Sequence, residues 1–241
     1  MRHDLKLYIG NKNYSSWSMR PWVLMKHVGI VFDEVMVRFD DFTPESHFKQ
    51  TIGKLSASAK VPVLVDRDLV ICDSLAIVEY LAEQFPEQRL WPEERDARAL
   101  ARSVCAEMHS GFGALRSACP MNIEARLPEI GALALRDKAA VRSDLARIDQ
   151  MWSSLLARFG GPMLFGRFSI ADAYFAPVVM RIQTYGLPVS ELVSDYIDES
   201  RRSEGVAAWV AGALSENDFR DFEEPYRLNP ASLHPWSQPP R

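Results

Sequence analysis

No run of about 18 consecutive apolar residues, the length a membrane-spanning helix needs, occurs anywhere in the chain. The opening MRHDLKLYIG holds no apolar stretch of the kind found in secretory leaders, so a cytoplasmic protein is expected. Cysteine is scarce. Cys72, Cys105 and Cys119 are odd in number and far apart, which excludes a disulfide framework, a CxxC redox pair and a cysteine-based zinc cluster. They read as reduced thiols that pack as small apolar side chains. The histidines have no ligand spacing, so no metal is expected. An excess of one charge is also missing: 28 Lys and Arg stand against 32 Asp and Glu, a net charge of -4, with the signs mixed along the chain. That removes the bulk attraction on which nucleic-acid and anionic-membrane binding depends. There is no internal repeat and no low-complexity tract.

What is present is a core-forming composition, 47% hydrophobic over 241 residues, enough for one large domain or two smaller ones. The first third alternates in type. LKLYIG (5–10) reads as a strand, 19–29 as a helix closed by Gly29, and FDEVMVRF (32–39) as a second strand by its period-two pattern. A polar stretch with a candidate helix follows. Then VPVLVD and LVIC are β-rich runs joined through Asp66, Arg67 and Asp68 at hairpin spacing. SLAIVEYLAEQF (74–85) places Leu75, Val78, Leu81, Ala82 and Phe85 on one helical face, with Ser74 in the N-cap position. A βαβ unit followed by ββα is a thioredoxin-like layer.

After the proline- and charge-rich PEQRLWPEE the pattern is helical only. Helices are expected over 96–118, 131–159, 169–185 and about 190–214, with turns at Pro120, Gly160-Gly161-Pro162 and Gly186-Leu187-Pro188. Ser169 and Asp172 form a capping box with Asp in place of Glu, and Phe168 is placed to staple onto Phe175 or its neighbours. The prolines after Pro225 point to an irregular tail.

The segment NKNYSSWSMRPW (11–22) carries the strongest chemical signal. Pro21 lacks an N–H and is tolerated only near a helix start, so a helix beginning between Ser16 and Ser18 is expected. Its serines then surround a helix N-terminus, where unpaired backbone N–H groups and the positive dipole end favour an anion. Ser15, Ser16 and Ser18 read either as simple caps or as donors to such an anion. Pro62, within an apolar strand, marks an end of pairing or a cis turn. Asp73-Ser74, at the next helix start, offers a carboxylate for an ammonium group and a hydroxyl with N–H groups for a carboxylate. Cys105, Met108, His109, Phe112, Leu115 and Cys119 follow a helical stripe.

These motifs resemble those of the cytosolic glutathione S-transferases, over the chain up to about residue 226. SSWSMRPW is similar to the serine-type active-site segment of the zeta class. KVPVLV is similar to the family's cis-proline segment, DSLAIVEYL to its (Glu/Gln)-Ser-x-Ala-Ile glutathione site, and SIADAYFAP to the capping box of its second domain. Each motif alone is weak; four in order and spacing are specific. The resemblance implies a thioredoxin-like domain over 1–86, a linker over 87–95, an all-helical domain over 96–224 and a proline-rich tail over 225–241. It implies Ser15 or Ser16 as the group activating the thiol of glutathione, with Ser15 at the position of the activating hydroxyl. Glutathione would be held by Ser15, Ser16, Trp17, Lys60, Val61, Pro62, Asp73 and Ser74. A second-substrate pocket would be formed by Trp17, Met108, His109, Phe112 and Arg181.

The expected function is that of a homodimeric glutathione S-transferase using glutathione as co-substrate on a small, largely apolar electrophile, without metal, membrane or nucleic acid. Two other readings stand beside it. One is a glutathione-dependent cis-trans isomerase of maleylacetoacetate or maleylpyruvate; against it, Thr184 stands where the zeta pattern has an arginine, with Arg181 one turn earlier, and Trp17 replaces the zeta cysteine. The other is a non-catalytic binding protein on the same scaffold.

Overall fold

The computed structural model describes residues 4–228. Strand β1 (Leu5–Ile9) alternates buried and half-buried residues, and β2 (Asp33–Met36), β3 (Val63–Asp66) and β4 (Leu69–Cys72) complete a four-stranded sheet in the order β2-β1-β3-β4. β1 pairs parallel with β2 and antiparallel with β3; β3 and β4 form an antiparallel hairpin. The parallel pair requires a crossover, and helix α1 (Ser16–His27) supplies it. The expected second strand over 32–39 is shorter, although the Val37 N–H still donates to the Ile9 carbonyl. α2 (His47–Gly53) covers one face of the sheet, packing Phe48 and Ile52 with Phe39, Val37 and Val63. α1 and α3 (Ser74–Gln84) cover the other. The period of two explains the split: Leu5, Leu7 and Ile9 point to the α1 and α3 side and Tyr8 to the α2 side. This is the thioredoxin-like arrangement.

The rest is helical: α4 (Arg95–Ser110), α5 (Gly113–Ala118), α6 (Pro128–Asp137), α7 (Ala139–Phe159), α8 (Ile170–Thr184), α9 (Glu191–Arg202) and α10 (Glu204–Glu216). Three expected long helices are each broken in two. The first stops at Gly111, where any Cβ would lie 2.7 Å from the Glu107 carbonyl oxygen, and turns through Phe112 at φ 54°. The others break at single extended residues, Lys138 (ψ 97°) and Ser203 (ψ 138°). α8 begins with the expected capping box of Ser169 and Asp172. Phe168 packs against the core and stacks on His27 of α1, ring centroids 3.8 Å apart.

One hydrophobic core runs through both halves, from Leu7 and Val23 to Trp152, Phe175 and Trp209. α1 is its hinge-pin, packing on α3, α8 and α10. The tail expected from residue 225 starts as packed chain: Tyr226 donates its hydroxyl to the Ala118 carbonyl and Arg227 is buried. Residues 229–241 lie outside the described residues. No helix of the described residues is long and apolar enough to cross a membrane.

Candidate active site

The turn between β1 and α1 is built from polar residues that are nonetheless buried: Asn11, Lys12, Asn13 and Tyr14. Buried polar groups need partners; Asn13 finds them in Asn122 and the Glu124 N–H, and the other three at the far end of the chain. The Asn11 amide donates to Asp218 (2.8 Å) and Glu216, the Lys12 N–H to Glu216 (2.7 Å), and the Tyr14 hydroxyl to Glu224 (2.7 Å). Glu224 also accepts from Asn122 and is paired with the guanidinium of Arg227. Burial, together with the nearby Glu224 carboxylate, pushes the Tyr14 phenol well above its usual range, so it stays a donor.

This fixed turn delivers the serines. Ser15 is the N-cap of α1 and is almost buried; its Oγ lies 2.7 Å from Ser18 Oγ, to which it donates, and it makes no side-chain cap bond. Ser18 Oγ in turn accepts the Gly10 N–H at 3.3 Å. Ser16 is half-buried, and its Oγ accepts from Arg181 at 3.3 Å. Arg20 donates to the Ser16 carbonyl (2.9 Å) and to the Tyr174 carbonyl (3.0 Å). Burial lowers the guanidinium of Arg20 to about 9 and that of Arg181 to about 10, which leaves both charged at neutral pH.

The second wall comes from the sheet side. The Val61-Pro62 peptide is cis. Asp73, not Ser74, caps α3: its carboxylate accepts the Leu75 N–H at 2.8 Å, from a backbone at φ 76°. A non-glycine residue held in that left-handed region is strained, and such residues cluster at ligand sites. Because the carboxylate takes the cap, the buried Ser74 hydroxyl is released to meet Tyr174 Oη at 3.0 Å. Tyr174 Oη is also 2.7 Å from His109 Nδ1, and His109 Nε2 lies 3.4 Å from the Asp73 carboxylate. The four side chains close a ring across the two domains. Burial pushes the Tyr174 phenol up to about 12.

Between these walls opens a cleft of about 460 Å³. Trp17, Ser58, Lys60, Val61, Pro62, Cys72, Asp73 and Ser74 line it from the first domain, and His109 and Arg116 from the second. A smaller depression of about 310 Å³ beside Tyr196 and Arg202 holds none of the expected residues.

Six of the expected glutathione residues therefore share one cleft, with Ser15 and Ser16 at the adjoining helix start. Of the expected second-substrate residues, Trp17 and His109 line the cleft. Met108 and Phe112 do not: both are buried in the core, since the α4 stripe faces inward and the break at Gly111 turns Phe112 with it. Arg181 lies buried behind Ser16, holding the Cys119 carbonyl as well. Sequence reasoning missed Arg116, Arg20 and Tyr174. Tyr174 sits two residues past the capping Asp172 and carries no motif of its own, and Arg116 lies beyond a helix break that periodicity conceals. Among the described residues no group of three or more His, Cys, Asp or Glu is placed to hold a metal ion.

A thioredoxin-like domain whose helix N-termini and cis-proline face a helical bundle across a cleft defines the glutathione transferase fold. Family models agree in both halves: the glutathione S-transferase N-terminal domain matches residues 14–84 and the C-terminal domain residues 124–212. The chain belongs to the glutathione S-transferase family. It is 29% identical over 190 residues to glutathione S-transferase 1 of Dianthus caryophyllus, covering 78% of this chain and 81% of that one. It is also 29% identical over 185 residues to a protein of Vibrio cholerae named "Probable maleylacetoacetate isomerase", covering 73% and 81%. In fold it resembles a Burkholderia glutathione transferase homologue solved with bound glutathione, with a TM-score of 0.66 at 24% identity, covering 89% of this chain and all of that one.

Proposed function

We propose that this protein is a serine-type, zeta-like glutathione transferase that binds glutathione in the cleft and directs its thiolate at a small electrophile. One observation carries the reading: a single cavity gathers Trp17 of the first turn of α1, next to Ser15 and Ser16, with the cis Val61-Pro62 peptide and the Asp73-Ser74 start of α3. The γ-glutamyl ammonium is assigned to Asp73, its carboxylate to Ser74 and the N-terminus of α3, the cysteinyl backbone to Val61, and the glycyl carboxylate to Lys60. The thiol then meets the start of α1, with Trp17 beside it.

A free thiol titrates near 8.5, so little of it is thiolate at neutral pH; lowering that by ~2 pH units takes about 2.7 kcal/mol. The positive end of α1 and the cations of Arg20 and Arg181 supply part of this. The serine pair supplies the rest. Ser18 Oγ accepts from Gly10, so its own hydrogen is available to Ser15 Oγ. Reversing that one bond turns the Ser15 hydrogen to the thiolate, in a chain running Gly10 N–H, Ser18, Ser15, sulfur, each bond polarising the next. Ser18 thereby acquires a purpose that capping alone does not give it. Ser16 is the competing donor, with its oxygen already bonded by Arg181.

Thiolate absorbance of the glutathione complex against pH decides between them. Ser15→Ala should raise the thiol pKa toward its free value and slow conjugation at pH 7 by about 10- to 100-fold, Ser18→Ala should do so to a smaller extent, and Ser16→Ala should leave the thiol pKa nearly in place. The opposite ranking of Ser15→Ala and Ser16→Ala assigns the role to Ser16. Loss of binding to immobilised glutathione in the wild type would instead leave the non-catalytic reading. Turnover of maleyl diacids by the wild type would favour the isomerase, although Arg181 lies buried behind Ser16 and does not line the cleft. A homodimer is also proposed; a 27.3 kDa particle by light scattering at micromolar concentration would oppose it.

A further inference from the structure

His109 reaches the cleft from the helical domain and is engaged at both ring nitrogens. Nδ1 lies 2.7 Å from Tyr174 Oη and Nε2 lies 3.4 Å from the Asp73 carboxylate, while Tyr174 Oη is 3.0 Å from Ser74 Oγ. Tyr174 and Ser74 are buried. The Tyr174 phenol, pushed up to about 12 by burial, keeps its hydrogen at neutral pH, and it has only that one to share between two partners. The way this hydrogen points sets the direction of the whole row.

Two arrangements satisfy these contacts. In the first, His109 is neutral with its hydrogen on Nε2, facing Asp73. Tyr174 then donates to Nδ1 and Ser74 to Tyr174, so the Ser74 hydrogen is spent inside the protein. In the second, the Nδ1 hydrogen is donated to Tyr174, Tyr174 donates to Ser74, and the Ser74 hydrogen is free to point into the cleft. Nε2 still faces a carboxylate and must carry a hydrogen as well, so this His109 is an imidazolium. A carboxylate ligand accepts and does not donate. With one bound at Ser74, only the second arrangement keeps every contact.

We propose that His109 is a positioning residue for glutathione: through Tyr174 it turns the Ser74 hydroxyl toward the γ-glutamyl carboxylate, and it takes up a proton from solvent as that carboxylate binds. The inference rests on the glutathione reading of the same cleft. The γ-glutamyl group brings an ammonium as well as a carboxylate, so its net charge does not decide the outcome; hydrogen-bond direction does. Asp73 favours the imidazolium. Arg20, whose guanidinium is 4.9 Å from the Tyr174 ring centroid, opposes it, as do Arg116 and Lys60, which share the cleft. Trp17 packs on His109 with ring centroids 5.2 Å apart and carries no charge. On α4 itself, burial keeps the Cys105 thiol neutral, and Glu107 is paired with Arg147. Histidine is the side chain whose ordinary range lies between about pH 5 and 8, so the coupling acts near neutral pH. Because the charged form is the one that fits the ligand, affinity weakens as pH rises across that range.

S-methylglutathione has no thiol to ionise, so its binding isolates this end of the tripeptide. Calorimetric titration near neutral pH in buffers of unlike ionisation enthalpy counts the protons exchanged. Wild type should take up a fraction of a proton, at most about one, and its Kd should rise across the histidine range by no more than about tenfold per pH unit. His109→Asn sets an amide NH2, a fixed donor, near the place of Nδ1 and should remove this uptake. Tyr174→Phe keeps the imidazole but cuts the row, and should remove it too; a purely electrostatic effect of His109 on the ligand would survive that variant. The ligand's own ammonium is common to all three proteins and cancels in the comparison. Binding by wild type with no more uptake than the variants, or uptake that persists in Tyr174→Phe, overturns the proposal and leaves the glutathione reading standing. No binding to wild type in any buffer removes both.

Discussion

Asp172 offers a quantitative test of how the cleft is held. It is fully buried and accepts from the Leu164 N–H (3.0 Å), the Ser169 N–H (2.9 Å) and the Ser169 hydroxyl (3.0 Å). By doing so it fixes the start of α8, the helix that carries Tyr174 and Arg181 to the site. Burial nevertheless outweighs these donors and raises its carboxyl from 3.8 to about 6. Between those values the folded protein keeps a proton that the unfolded chain has released. Stability from this group is therefore greatest below pH 3.8 and is lost as pH rises to about 6, the reverse of a salt-bridged carboxylate. A rise of about two pH units, at 1.36 kcal/mol each, amounts to ~3 kcal/mol. Asp172→Asn keeps the shape but not the titration; it sets an amide NH2 against at least one former donor, costing about 1–3 kcal/mol at any pH. The difference in unfolding free energy, wild type minus variant, should shrink by ~3 kcal/mol between pH 4 and pH 7. Taking the difference cancels the other carboxylates, several of which, Glu79 and Asp218 among them, are shifted downward. Urea denaturation at intervals across that range measures it. A gap that is constant, or that widens with pH, would refute the assignment.

Tyr174→Phe removes the hydroxyl between Ser74 and His109 and should raise the KM for glutathione several-fold with a smaller change in kcat, read from initial rates. Truncation after Glu224 strips Arg227 from a buried carboxylate and should cost about 3–5 kcal/mol by denaturant titration. Gly205→Ala places a Cβ 2.2 Å from the Val23 carbonyl oxygen; pushing α10 off α1 should cost ~2 kcal/mol or more, seen as a lowered Tm.

Much of this architecture could be read in the sequence because local signals and tertiary packing agree. Ser169 with Asp172, the VPVLV and LVIC runs, and the alternation of LKLYI each encode their own geometry. The helix breaks were invisible for the converse reason. Lys138 and Ser203 each interrupt a helix with one extended residue, while the apolar period on either side continues almost in phase. The site shows the same division. Serines, Pro62 and Asp73-Ser74 form contiguous motifs, but Arg116 and Tyr174 matter only by where α5 and α8 set them, and Met108 and Phe112 satisfied a periodic pattern that describes core as well as cleft.

The ties of Asn11 and Tyr14 to Glu216, Asp218 and Glu224 reach across more than 200 residues of chain. In a chain made from its N-terminus, the turn that presents Ser15 is among the first segments to be synthesised and among the last to find its hydrogen-bond partners. The N-terminal domain is therefore not an interchangeable cassette. Grafted onto the helical domain of a relative lacking those three acids, it would carry every motif of the glutathione site on a turn with buried amides left unpaired, and recombination within the family has to exchange both ends of the chain together.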